Sequence, residues 1–171
     1  MGERPLLKEK YAHEIEHILA KFPPDHSRSA VMPLLFLALR EENHVTEQAV
    51  VEIAEILSIN PTQVRSIVGF YTLYQDRPGG KYRIQVCGDL PCSLRGGDEF
   101  LSGLCGRLGI TLEETTGDGL FSIEKVMCLA ACDRAPVFQL QGPDGVHYYE
   151  NQTVDSAIKI LEQIRQREQN A

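Results

Sequence analysis

The apolar residues of this chain follow two periods in succession. Over residues 8–22 they recur with helical spacing, at Tyr11, Ile15, Ile18, Leu19 and Phe22, and predict one amphipathic helix. Pro23-Pro24-Asp25 ends it. Ser29 is placed to cap a second helix reaching about Glu42. Within that helix residues 30–39 form the longest apolar run, interrupted by Pro33; it is too short to span a bilayer and reads as buried. Thr46 predicts a third helix, with Ala49, Val50, Ile53, Ile56 and Leu57 on its inner face. Asn60-Pro61, a cap followed by proline at the first helical position, predicts a fourth running toward Phe70-Tyr71.

Arg77-Pro78-Gly79-Gly80 breaks the pattern, and the period then changes to two. The expected organisation is a helical bundle over residues 1–76 and a second domain over residues 77–171. In the second, Tyr82-Arg83-Ile84-Gln85-Val86 alternates as a strand. Residues 98–108 read as a helix and 121–127 as a strand. Residues 136–141 and 146–149 read as a hairpin around Gly142-Pro143-Asp144-Gly145. Thr153 caps a last helix to about Arg167. The fold class is α+β, with the second half ordered β-α-β-β-α.

Charge and composition narrow the partners. The chain has 171 residues, 43% of them hydrophobic, and a net charge of −7 without any cluster of Lys and Arg. That argues against nucleic acid or an anionic membrane as a direct partner. The first ten residues are polar and lack the apolar segment of a cleavable signal. A reducing compartment is therefore expected, with any membrane link made through another protein. In such a compartment five cysteines point to metal or redox chemistry rather than to disulfides.

Four of the cysteines form two tight pairs. Cys87 and Cys92 follow the first strand as C-x4-C, and Cys128 and Cys132 follow the second as C-x3-C. Two facing loops can supply four thiolates to one site. A [2Fe–2S] cluster needs two thiolates on each iron and is favoured. Structural zinc is the alternative, since these spacings permit it, although zinc ribbons usually place each pair on a tight knuckle in a small loop-rich unit. A thioredoxin-type dithiol is disfavoured because Cys-x-x-Cys is absent, and a Rieske centre because no His lies within two residues of any Cys. Around the pairs, Gly88, Ala130 and Ala131 are small enough to allow close backbone approach and N–H donation to the sulfurs. Pro91 and Pro136 stiffen the loops. Leu90, Leu94, Met127 and Leu129 are expected to exclude water. Asp89 and Asp133 adjoin ligands and would lower the reduction potential. Cys105, among Leu101, Leu104 and Leu108 of a predicted helix, reads as a small packed residue.

With these motifs in view, the chain resembles the family of small ferredoxin subunits of respiratory complex I, the NADH–quinone oxidoreductase. The resemblance rests on Gly69-Phe70-Tyr71-Thr72-Leu73-Tyr74, on Lys81 through Cys87, on Pro91-Cys92-Ser93-Leu94-Arg95-Gly96, on Gly117-Asp118-Gly119-Leu120-Phe121, on Cys128-Leu129-Ala130-Ala131-Cys132, on Ala135-Pro136-Val137 and on Tyr148-Tyr149-Glu150. It implies a thioredoxin-like [2Fe–2S] ferredoxin domain behind the helical bundle, with one cluster on Cys87, Cys92, Cys128 and Cys132. It also implies a partner, the flavoprotein of the same complex, holding FMN, a [4Fe–4S] cluster and the NADH site. The cluster of this chain would exchange one electron with that flavin. The assembly would sit on the cytoplasmic face of the inner membrane, and this chain would not catalyse alone. NAD-linked formate dehydrogenases and hydrogenases use the same architecture. Three positions depart from the family pattern: Ser66 and Ala130 stand where members often have Gly, and Gly69 where they often have Ala or Thr.

Other residues have plainer readings. His13 and His17 lie one helical turn apart but lack a third ligand, so a solvated face is expected. Phe70, Tyr71 and Tyr74 read as an aromatic staple between the domains, with a flavin-facing patch as the alternative. Glu41-Glu42 and Glu113-Glu114 read as surface. Gly79-Gly80 and Gly96-Gly97 are too short for a dinucleotide fingerprint, and no NADH site is expected on this chain.

Overall fold

The first apolar stripe folds as two helices, α1 (Leu7–Lys10) and α2 (Ala12–Leu19), in the computed structural model, which describes residues 7–170. Tyr11 separates them, with φ −119° and ψ 26°. The break follows from what each piece binds. Glu52, buried, accepts hydrogen bonds from the Leu7 N–H (2.9 Å) and the Lys8 N–H (2.6 Å) and so holds the start of α1. Tyr11 instead donates to Glu41 at 2.6 Å. Residues Pro24–Ala30 form a 3-10 segment that runs into α3 (Val31–Glu42). Ser29 therefore caps nothing: the residue before α3 is Ala30, already helical in φ and ψ, and the extended residue that a capping side chain requires is missing. Pro33 is harmless in the first turn, where its N–H has no intrahelical acceptor.

The other two caps behave as expected. Thr46 accepts from the Ala49 N–H at 3.1 Å and starts α4 (Glu47–Leu57). Asn60 accepts from the Thr62 N–H at 2.9 Å and starts α5 (Pro61–Phe70). Leu34, Leu35, Ile53, Leu57 and Val64 fill the middle of this helical unit. Of the three rings expected to act as a staple, only Tyr74 is buried. Its hydroxyl reaches the Met32 carbonyl at 3.3 Å, within the same unit, while Phe70 stands 78% exposed.

The chain divides into two units, Met1–Pro78 and Gly79–Ala171. The second contains β1 (Tyr82–Cys87), α6 (Leu90–Leu94), α7 (Gly97–Leu108), β2 (Phe121–Val126), a 3-10 turn at Cys132–Arg134, β3 (Phe138–Gly142), β4 (Gly145–Tyr149) and α8 (Val154–Gln169). The sheet order is β2-β1-β3-β4; β1 runs parallel to β2 and antiparallel to β3. Tyr82, Ile84 and Val86 of β1, with Phe121, Ile123, Phe138 and Leu140, face α7 and α8 and pack on Phe100, Leu104, Ile158 and Leu161. Each large side chain buried there contributes about 1.5–3 kcal/mol. The opposite face is polar. Gln139 donates to Gln85, which donates to Glu124 at 2.7 Å, so the buried amides are satisfied. Thr153 and Ser156 form a reciprocal capping box at the start of α8. Among the described residues no helix is long and apolar enough to cross a membrane.

The turn before β2 is tied by Asp118. Its carboxylate accepts from the Thr116 hydroxyl, from the Leu120 N–H at 3.0 Å and from Arg165 Nε at 2.8 Å, while the Arg165 guanidinium lies over the Phe121 ring. The Thr116 hydroxyl, then the Leu120 N–H and Arg165, hold the Asp118 carboxyl below its ordinary value against the opposing effect of partial burial. A carboxyl depressed in the folded state contributes stability above its unfolded pKa, and that contribution is lost as pH falls through the folded value. Replacing Asp118 with Ala is expected to destabilise the protein by about 1 kcal/mol at pH 7, the half-exposed site being screened by solvent. The deficit should shrink as pH falls below the ordinary carboxylate range, as followed by urea denaturation at neutral and acidic pH.

Candidate metal centre

Both cysteine pairs gather at one end of the sheet. Cys87 is the last residue of β1, its N–H bonded to the Val137 carbonyl at 3.2 Å. Cys92 sits in α6, a helix where the sequence predicts only a loop. A five-residue helix is too short to show apolar periodicity. Its signal is Asp89-Leu90-Pro91, a capping side chain followed by proline in the first turn. The Asp89 carboxylate accepts from the Leu90 N–H at 2.9 Å. Cys128 and Cys132 lie on the segment joining β2 to β3, which crosses the end of β1. The Cys87 thiol donates to the Met127 carbonyl at 3.3 Å and ties the two loops together.

The four sulfurs differ in setting. Cys87 and Cys92 are buried beside Leu129, Ala135 and Val137. Cys132 is half-buried and Cys128 exposed; all five cysteines of the chain are free thiols. Burial, then the neighbouring thiols of Cys87 and Cys132, pushes the Cys92 thiol up to about 12. It holds its proton at neutral pH, and a metal must displace that proton on binding. At Cys128 the Ala130 N–H, 3.4 Å from the sulfur, favours the thiolate. Desolvation, Asp89 and Cys132 together outweigh it, and the thiol is raised.

Several expectations about the surroundings change. The Gly88 N–H is used by the Val126 carbonyl at 2.8 Å, so it does not serve a sulfur. The space beside Gly88 is filled by the stem of Lys125, which reaches Asp98 at 2.8 Å. Of the four apolar residues expected to exclude water, only Leu129 is buried. Leu90 is 69% exposed, and Leu94 and Met127 are each 79% exposed. Asp133 faces solvent beside Arg134. Sequence proximity places Asp89 near Cys87 and Cys92; its carboxylate caps α6 through the Leu90 N–H and also helps to raise the Cys128 thiol of the opposite loop. Cys105 is half-buried, packed on the α/β core, with its thiol raised by burial. His13 and His17 are both exposed, and among the described residues no three His, Cys, Asp or Glu side chains surround one point as ligands of a single ion.

Comparison with known proteins bears directly on this arrangement. The model of the thioredoxin-like [2Fe-2S] ferredoxin family matches residues 15–165. The chain belongs to that family. This ferredoxin is 44% identical over 126 residues to NADH-quinone oxidoreductase subunit 2 of Thermus thermophilus, covering 74% of this chain and 70% of that protein. It is 37% identical over 151 residues to an NADH-quinone oxidoreductase subunit of Rickettsia conorii, covering 88% of each. Its fold also resembles a chain in the crystal structure of an air-oxidised NAD+-reducing [NiFe]-hydrogenase, with TM-score 0.65 and 19% identity, over 78% of this ferredoxin and 23% of that chain.

The donor set suits the group that the family's description names. Four free thiols are all soft ligands, two from each loop, and a two-iron cluster divides them over two metals instead of converging them on one. Ala130, between Cys128 and Cys132, has φ +56°. A methyl in this left-handed region costs about 1 kcal/mol relative to glycine. Ala130→Gly is expected to stabilise the protein by about 0.5–1 kcal/mol, as a rise in the thermal unfolding midpoint.

Proposed function

We propose that this ferredoxin is the electron-carrying [2Fe–2S] subunit of an NADH–quinone oxidoreductase, respiratory complex I. Cys87, Cys92, Cys128 and Cys132 hold one [2Fe–2S] cluster as thiolates. The observation that carries the reading is the meeting of the two cysteine loops at one end of the sheet, in a chain with NADH-quinone oxidoreductase relatives along most of its length. When bound, the cluster supplies a one-electron couple that exchanges an electron with FMN on the flavoprotein partner, where NADH also binds. This chain's residues do the rest. Cys87 and Cys92 anchor the site in the interior, and Leu129 and Val137 keep water from that side. Leu90, Leu94 and Met127, close in sequence to the ligands, are exposed, as is Cys128. Residues 77–171 form the cluster domain, and the helical residues 1–76 dock the flavoprotein. The assembly is peripheral on the cytoplasmic face of the inner membrane, and catalysis belongs to the complex.

The related NAD-linked hydrogenases share the fold, but a likeness at 19% identity carries fold alone. The NADH-quinone oxidoreductase relatives, at 37% and 44%, favour complex I. A zinc-stabilised adaptor would want four sulfurs around one ion.

An anaerobic preparation examined by visible absorption and low-temperature EPR tests this reading. The expected protein is brown, holds about two irons and two sulfides, and gives a spin-half signal only after dithionite. Single Cys→Ser changes at Cys87, Cys92, Cys128 or Cys132 should each cut cluster content sharply, whereas Cys105→Ser should leave it intact. A colourless protein with one zinc per chain would overturn the proposal. Capture of the purified FMN-bearing flavoprotein by the loaded chain checks the partner.

A further inference from the structure

The first cysteine loop leaves β1 at Cys87 and enters α7 at Gly96-Gly97, and a close contact holds it at each end. At the near end stands Gly88. Its N–H continues the pairing with β2 through the Val126 carbonyl at 2.8 Å. A methyl on Gly88 would collide with Cγ, Cδ and Cε of Lys125, so the lysine stem occupies the place that a side chain at position 88 would take. Lys125 Nζ then donates at 2.8 Å to Asp98, in the first turn of α7. At the far end a methyl on Gly97 would lie 2.8 Å from the Cys92 carbonyl oxygen and 3.4 Å from that of Cys87. The start of α7 is thus pressed on the main chain of both interior cysteines. One side chain of β2 links the two ends, from Gly88 to the residue after Gly97.

The ion pair by itself contributes little to stability, since Lys125 and Asp98 are each about half exposed. Its effect is directional. It draws the lysine stem across Gly88 instead of out into water, and the methylenes fill the gap between the end of β1 and the start of α7.

We infer that Lys125 is a positioning residue: by packing on Gly88 and pairing with Asp98 it fixes the main chain that carries Cys87 and Cys92, and with it the interior half of the cluster site. The inference rests on the [2Fe–2S] reading above. Neither Lys125 nor Asp98 is a ligand in that reading. Support behind the ligands holds the thiolates in bonding geometry and slows the loss of metal.

The test follows iron release from the loaded protein to excess bathophenanthroline disulfonate, after the visible circular dichroism of the cluster has been recorded. K125A should release iron about tenfold faster than wild type and change the cluster spectrum. K125R keeps most of the stem and a partner for Asp98, and should stay near wild type in both. R107A is the control. It removes the ion pair of equal length, 2.8 Å, that joins α7 to Asp155 of α8, and should leave rate and spectrum unchanged. A K125A protein with the wild-type rate and spectrum, or an equal acceleration in R107A, would overturn the inference. Should K125A fail to load, K125M keeps an apolar stem without the pair and must release iron faster than R107A; an equal rate would overturn the inference as well. A wild-type chain that takes up no [2Fe–2S] cluster overturns the underlying reading and this inference with it; a loaded K125A that behaves as wild type overturns this inference alone.

Discussion

The site depends on the central position of β1. β2 pairs with β1 in parallel, so the two strands end side by side, Cys87 opposite Val126. β3 pairs on the other flank of β1 and begins opposite Val86. The segment joining β2 to β3 must therefore pass over the end of β1, where Cys87 stands. No long-range recognition between the cysteine loops is needed. The strand order carries Cys128 and Cys132 across Cys87, and the bond from Cys87 to the Met127 carbonyl fixes the crossing.

That crossing also gives the site two sides of different character. The β1–α6 side is interior, closed by Leu129, Ala135 and Val137. The crossing loop carries the exposed Cys128 and the half-buried Cys132. One half of the site belongs to the core of the fold and the other to its surface.

Much of this is legible in the sequence, and the misses have physical causes. The caps at Thr46, Asn60 and Thr153 and the alternation of β1 are local signals, and the structure bears them out. The break at Tyr11 is not legible because it is imposed by Glu52, a residue from elsewhere in the chain. Ser29 looks like a cap because its chemistry suits one; the preceding prolines have already set a 3-10 path into α3. The cysteine spacing points to a shared site, but spacing does not reveal exposure. Leu90, Leu94 and Met127 read as a sheath and stand exposed. Asp89 reads as a neighbour of its own loop, where it caps α6.

The alternation of β1 has a consequence for parity. Its even-numbered residues, Tyr82, Ile84 and Val86, belong to the helix-facing core, and its odd-numbered ones, Arg83, Gln85 and Cys87, to the opposite face. A single inserted or deleted residue inside the strand exchanges the two sets. Cys87 would turn toward α7 while Val86 or its substitute turned toward the crossing loop. The hydrophobic core and the sulfur site are thus counted off by the same residues, and neither can be kept in register while the other is lost.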